Sequence, residues 1–415
     1  MNYALEGIMN RVIEKLNKYG QQQLLKFENQ LSEEERESLY NQIETLDFSY
    51  LMKLNTSEVG NGQVELSPIK ALTIDEIKKK EQEFKKFGIE VLRKKQVGAL
   101  MLAGGMGTRL GSDNPKGMYN IGKTKDVYIF QRQIENLLDV VKEVGEFVPL
   151  FIMTSEKNDE ATRKFLKEHD YFGYDEKYIR FFVQDMAPCV DLNGKILLEE
   201  KGRVATSPNG NGGWFSSLVG NDEAREMLEK YQIKWLNIFS VDNVLQRIAD
   251  PVFVGATIMG EYEVGSKVIR KVDAYEKVGV MCKKNNHPSV VEYIDLPEEM
   301  AVQEDENGER LYNFGVILNY LFNVEFLYKI KDEALPVHVV TKKVEHIDDK
   351  GEKVLPSEPN AHKFEMLCVD MVELASSCLP FEVDRAKEFA PIKNKTGVDS
   401  VDSARVMLEK LGFEL

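Results

Sequence analysis

VGALMLAGGMGTRLGSDNPKGM, residues 97–118, runs from an apolar segment through a glycine-rich turn to two cations, Arg109 and Lys116. Val97 to Leu102 is wholly apolar, which predicts a strand buried on both faces. Gly104, Gly105 and Gly107 follow at once. Glycines let the backbone approach a ligand closely and turn N–H groups toward an anion. In open α/β sheets ligands bind beyond the carboxyl ends of strands, where this turn lies. A dinucleotide fingerprint would need a third glycine where Leu110 stands, and a P-loop lysine would follow Gly and precede Ser or Thr, which Lys116 does not. Asn114-Pro115 also prevents an immediate helix, because the residue before proline avoids the α region. What remains is a long phosphate loop with two cations, suited to a triphosphate whose charge must be spread during reaction.

Outward from the turn the texture alternates. Val127–Val144 has helical periodicity, Phe147–Met153 reads as a buried strand, Glu156–His169 as a helix and Ile179–Val183 as a strand. Gly213–Tyr231 reads as a helix and Trp235–Val241 as a strand. Such alternation predicts βαβ units, hence an α/β fold with a central mixed, mostly parallel sheet flanked by helices. Residues 1–95 form a charged helical region, with Met9, Val12, Ile13 and Leu16 at helical spacing and again Leu39, Ile43 and Leu46. Ser32 followed by Glu35 is a capping-box pattern; 57–67 reads as a loop and 73–87 as an amphipathic helix. After residue 252, short β-like runs (277–282, 289–294, 338–347) alternate with helical-looking ones (319–330, 366–378), an antiparallel extension of the same domain.

A net charge of -15 argues against a nucleic-acid partner, since phosphate backbones select basic patches. The N-terminus has no apolar signal core, and no run of eighteen apolar residues is long enough to span a membrane. The four cysteines are scattered without CxxC spacing, as expected of reduced thiols in a cytoplasmic protein.

LAGGMGTRLG with PKGMYNIG resembles the activation loop of the UDP-N-acetylhexosamine pyrophosphorylases, within the UDP-sugar pyrophosphorylase family. VQDMAPCVD (183–191), SPNGNGGWF (207–215), SVDNVLQRIADPVFVG (240–255), VVEYID (290–295), KFEMLCVDM (363–371) and EFAPIKN (388–394) resemble further family blocks, in family order. The resemblance covers about residues 95–410. It implies a Rossmann-like nucleotidyltransferase fold, with a helical region at 1–95 and a catalytic domain at 96–415. The nucleotide half would span about 96–250 and the sugar half about 251–395, without the C-terminal β domain of eukaryotic relatives.

The implied activity makes a UDP-sugar and pyrophosphate from UTP and a hexose or N-acetylhexosamine 1-phosphate. N-acetylglucosamine 1-phosphate is the first choice, ahead of glucose or galactose 1-phosphate. Arg109 would clamp the β- and γ-phosphates with the backbone of Gly105 and Gly107, Gly104 and Thr108 would also bind substrate, Lys116 would guide the attacking phosphate, and Lys393 would contact phosphate from across the cleft. Asp242 would hold Mg²⁺ or Mn²⁺ beside Asn243, and Gln184 would read the uracil edge. Asn209, Gly210, Asn211 and Gly212 would approach nucleoside and sugar; Gly279, Glu292 and Asn313 would hold the sugar ring, and Phe364 would line its acyl side. Met106 stands where relatives carry Gln, Trp214 and Phe215 alter the pocket wall, and FGVIL at 314–318 departs from the family pattern. The expected protein is a cytoplasmic monomer or weak homo-oligomer. The alternative reading is a non-catalytic UDP-sugar sensor of the same fold.

Overall fold

The computed structural model describes residues 3–55, 65–331, 333 and 335–415. Its described residues form two compact units, each assembled from separate stretches of chain.

The larger unit comprises Gln63–Gln184, Trp214–Ala334 and Cys368–Leu415. Strand Val97–Leu102 lies parallel between Trp235–Ser240 and Leu150–Thr154, and Ile179–Val183 extends this parallel half to the edge. On the other side Phe314–Asn323 runs antiparallel to Trp235–Ser240 and continues the sheet to Val280–Lys284 and Leu66–Pro68. Val264–Arg270 pairs with Phe314–Asn323 and, in parallel, with Cys378–Glu382. This is the mixed α/β sheet expected, and Val97–Leu102 is buried at every residue. Helices Ile74–Arg93, Ile129–Val144, Asp159–Glu168 and Pro251–Met259 place apolar faces onto one core with these strands. Helices Ile74–Arg93 and Pro251–Met259 cross at bare backbone: a Cβ on Gly88 would lie 1.9 Å from the Pro251 carbonyl oxygen, and one on Gly255 would lie 1.9 Å from that of Phe84.

The smaller unit gathers the described residues of Met1–Gly62, Asp185–Gly213 and Leu335–Leu367. Its core joins Val12, Leu16, Leu39 and Ile43 from the first helices to Val190, Ile196, Val204 and Phe364. Side-chain amides finish the backbone pairing. Gln21 donates to Gly194 O (3.0 Å) and accepts from Ile196 N (2.9 Å), and Gln42 brackets Val204 in the same way (3.2 and 2.8 Å). No unit boundary falls near residue 95: helix Ile74–Arg93 belongs with the strands that follow it.

Local expectations meet the structure unevenly. The Ser32–Glu35 capping box is present. The 73–87 helix begins where expected, with Thr73 and Glu76 forming a second box, and runs on to Arg93. The 213–231 helix is instead two helices, Trp214–Gly220 and Asp222–Lys230, because the Asn221 side chain accepts from Ala224 N (3.0 Å) and starts a new one. The 319–330 run is no single helix: it finishes the strand Phe314–Asn323, and Asn323 then caps Val324–Ile330. In 366–378 only Asp370–Glu373 is helical, before strand Cys378–Glu382. The 57–67 loop lies outside the described residues up to 64, and Leu66–Pro68 is a strand. Among the described residues no helix is long and apolar enough to cross a membrane.

Candidate active site

Four parallel strands lie side by side, and the ends of three of them supply parts of the site. Val97–Leu102 leads into the glycine turn, Trp235–Ser240 into Asp242 and Ile179–Val183 into Gln184. In the turn, Gly107 N donates to Asn114 O (2.8 Å), while Gly107 O accepts from Leu110 N and Ser112 N. Gly107 thus closes the loop on itself, and its N–H is not turned toward an anion as expected. Leu110 is 1% exposed, so the residue that breaks the dinucleotide fingerprint is a core anchor. Thr108 and Arg109 are exposed on the short turn Thr108–Leu110, and Arg109 has no ion pair or side-chain hydrogen bond among the described residues. The Met106 backbone bridges to Pro115, and Lys116 N donates to Gly105 O (3.1 Å).

These bonds fold Lys116 back over the turn. Its Nζ lies 3.2 Å from Asp242 Oδ2, and Asp242 Oδ1 accepts from the Ser240 hydroxyl at 2.7 Å. Both side chains of the pair are 18% exposed, so their charges meet in a partly desolvated place, where such attraction outweighs that of a surface pair. Gly104 touches the third strand end: a Cβ there would come within 2.2 Å of Gln184 Nε2. Lys393 arrives on the segment that follows Glu388. Ile392 N donates to Asp242 O (2.9 Å), while Lys393 Nζ pairs with Asp399 (3.0 Å). That segment is tied down at Glu388, whose carboxylate meets the fully buried Lys267 Nζ at 2.6 Å.

Gly279 and Glu292 extend the hairpin of Val280–Lys284 and His287–Val291, and Glu292 Oε1 lies 3.5 Å from where a Gly279 Cβ would stand. Asn313 precedes Phe314–Asn323; it is 7% exposed and its Oδ1 has no protein hydrogen-bond partner among the described residues. An orphaned buried acceptor is costly and marks a place for a ligand donor or water.

The remaining expected residues belong to the smaller unit. Asn209 is buried, with no hydrogen-bond partner for Oδ1 among the described residues and with Nδ2 3.4 Å from Tyr50 OH. Gly210 has φ +88, and a Cβ there would strike Met366 O at 2.2 Å; Gly212 N donates to that same oxygen at 2.8 Å. Asn211 between them is half-buried.

Two expected contacts, at Asn243 and Phe364, have side chains committed elsewhere in the fold. Asn243 is 1% exposed, with Nδ2 donating to Glu388 O and Oδ1 accepting from Ala390 N, so its carboxamide is a backbone staple. Phe364 is fully buried and stacked on Tyr50 at 5.3 Å, a core aromatic with no surface for a sugar. Trp214 and Phe215 are buried too, so neither is an exposed wall. Sequence reading missed Ser240, Gln133 and Asn158. Asn158, which donates to Ala103 O (2.9 Å), carries only a local helix-start signal in sequence.

Among the described residues no group of three or more His, Cys, Asp or Glu could hold an ion, and Asp242 is the carboxylate that faces Lys116. One carboxylate does fit Mg²⁺, which keeps several waters and takes its other ligands from substrate phosphates.

Comparison with known proteins gives this geometry a context. The profile of the family described as UTP–glucose-1-phosphate uridylyltransferase matches residues 46–413. UDP-N-acetylglucosamine pyrophosphorylase of Saccharomyces cerevisiae is 37% identical over 366 residues, 84% of this chain and 76% of that protein. UDP-N-acetylhexosamine pyrophosphorylase-like protein 1 of Mus musculus is 34% identical over 92% of this chain and 80% of its own length. The solved structure of the uridine diphosphate N-acetylglucosamine pyrophosphorylase from Trypanosoma brucei, in complex with an inhibitor, superimposes with a TM-score of 0.82 at 28% identity. It covers 97% of this chain and 84% of that one.

Proposed function

The chain belongs to the UTP–glucose-1-phosphate uridylyltransferase family and is a nucleotidyltransferase, and we propose that it joins UTP to N-acetylglucosamine 1-phosphate. A phosphate oxygen of the sugar attacks the α-phosphorus of UTP in line. The new O–P bond forms as the α–β bridging P–O bond breaks, and pyrophosphate leaves. Such displacement needs positioning and charge neutralisation and no protein nucleophile. The observation that carries the reading is the Lys116–Asp242 pair, 3.2 Å apart beyond the ends of adjacent parallel strands. Lys116 is placed to exchange its carboxylate partner for the incoming phosphate. Arg109, exposed and without an ion pair among the described residues, is available to take the β- and γ-phosphates through its planar fork. Gln184, beside Gly104, offers donor and acceptor to the uracil edge. Asp242 would hold Mg²⁺, which when bound neutralises phosphate charge. The names of the relatives support the acetamido sugar.

Purified protein given UTP, Mg²⁺ and each of N-acetylglucosamine, glucose and galactose 1-phosphate should release pyrophosphate fastest with the first. Arg109→Ala and Lys116→Ala should each cut kcat by roughly 10²–10³ while leaving the melting temperature near that of the parent. Pyrophosphate from none of the three sugars would refute the reading.

A further inference from the structure

The turn that presents Asp242 is held in an unusual way. Its five consecutive carbonyls, from Ser240 to Val244, each accept a hydrogen bond, and four of the five bonds come from side-chain carboxamides. Gln246 Nε2 donates to Ser240 O (2.7 Å), and Gln133 Nε2 to Val241 O (2.8 Å) and Asn243 O (2.9 Å). Asn136 Nδ2 donates to Val244 O (3.1 Å), and Ile392 N takes Asp242 O (2.9 Å). The amides behind them are linked head to tail. Ala249 N donates to Asn237 Oδ1 (2.7 Å) and Asn237 Nδ2 to Asn319 Oδ1 (2.8 Å). Asn319 Nδ2 then donates to Gln246 Oε1 (3.2 Å), and Gln246 Nε2 to Gln133 Oε1 (3.2 Å). Gln133, Gln246 and Asn237 are fully buried and Asn319 is 1% exposed.

We infer that Asn237, Asn319, Gln246 and Gln133 form a polarised carboxamide chain whose task is to position the Ser240–Val244 turn, and with it the Asp242 carboxylate opposite Lys116. The inference rests on the proposed role of Asp242 at the phosphates. Only a carboxamide accepts at one atom and donates twice at the next, so each member passes on the same polarity. A carboxylate anywhere in the chain would face a carbonyl with no proton to offer. Hydrogen bonds aligned in this manner strengthen one another in a dry interior. Water could satisfy the same carbonyls, but it would leave the turn free to shift. A displacement of about 1 Å at a reacting group is enough to cost two orders of magnitude in rate. These four are positioning residues: they touch Asp242 only through the backbone that carries it.

Gln133→Met and Gln246→Met keep side-chain length and remove the donors. Hydrogen exchange at residues 240–244 should accelerate roughly tenfold or more in each. In the pyrophosphate assay kcat should fall about 10–100-fold, and the Mg²⁺ concentration for half-maximal rate should rise, as for partners that orient metal ligands elsewhere. KM for UTP should stay within about twofold, since Arg109 and Gln184 are untouched. Thr257→Val, which removes a buried hydroxyl that donates to Phe253 O of its own helix, is the control and should change neither exchange at 240–244 nor kcat. If Gln133→Met does not fold, Gln246→Met decides. Unchanged exchange in a folded variant, or faster exchange with unchanged kcat and Mg²⁺ dependence, overturns the inference. A parent protein that makes no pyrophosphate from any sugar phosphate defeats the proposed function instead, and the exchange data still decide whether the chain fixes the turn.

Discussion

Gly104 and Gln184 share a space that one methyl group would fill. A Cβ at Gly104 would fall 2.2 Å from Gln184 Nε2, so Gly104→Ala must push the amide away from the turn. On the role proposed for Gln184, losing one hydrogen bond to the base would correspond to about 1.4 kcal/mol, so KM for UTP should rise about tenfold with kcat little changed. Steady-state kinetics at saturating sugar phosphate check this; an unchanged KM would remove Gln184 from base recognition. At this scale the glycine-rich turn was legible because its glycines cluster directly after the apolar strand Val97–Leu102. Asn243 and Phe364 were misread because their side chains are committed far along the chain, Asn243 to Glu388 and Phe364 to Tyr50. Nothing adjacent in sequence distinguishes an amide turned to backbone from one turned to substrate.

Between elements, the crossing of Ile74–Arg93 over Pro251–Met259 depends on two reciprocal glycines. Gly88→Ala or Gly255→Ala would drive a methyl into a carbonyl of the other helix and force the pair apart. Overpacking of this kind costs about 1–3 kcal/mol, and thermal denaturation should show a lowered midpoint for either variant. The same substitution at Gly145, at the end of helix Ile129–Val144, meets no atom within 4 Å and costs instead through its φ of +80. Strand and helix types in the parallel half were readable because each strand is short, apolar and bracketed by periodic helices. The 319–330 run misled because apolar residues in a central strand buried on both faces lose the alternation that marks a strand. Only Asn323, capping the helix that follows, signals the switch.

For the molecule as a whole, the cysteines report on burial. All four are buried thiols outside any disulfide. Burial pushes the Cys282 thiol up to about 11 and the Cys368 thiol to about 12, and raises Cys378 as well. A folded-state pKa above the unfolded one stabilises the fold below the unfolded value, near 9, and that contribution is lost as pH rises through the folded one. At pH 8 an alkylating reagent should therefore leave these thiols unmodified in the native protein and modify them rapidly in denaturant, as mass spectrometry would show. The denaturant midpoint should decline as pH is raised beyond about 9. The division of the chain was the least legible property. Composition suggests a cut near residue 95, whereas the helices at 3–45 complete a core with 185–213 and 335–367. Deleting residues 1–62 should consequently expose Val190, Ile196 and Val204, giving dye binding and protease cleavage within 185–213. A deletion product that stays resistant there would show that the helices are dispensable.

That discontinuous core also sets a timetable for synthesis. Helices Tyr3–Tyr19 and Glu33–Thr45 leave the ribosome early, but Phe364 follows residue 55 by roughly 310 positions, about 15–60 s at ordinary translation rates. Val190, Ile196 and Val204 reach the apolar faces of Val12, Leu16, Leu39 and Ile43 partway through that interval, and the core stays incomplete until Phe364 joins them. A nascent chain of this protein is therefore expected to engage holding chaperones through its first fifty residues, and crosslinking on stalled ribosomes would reveal that engagement ending only once residue 367 has emerged.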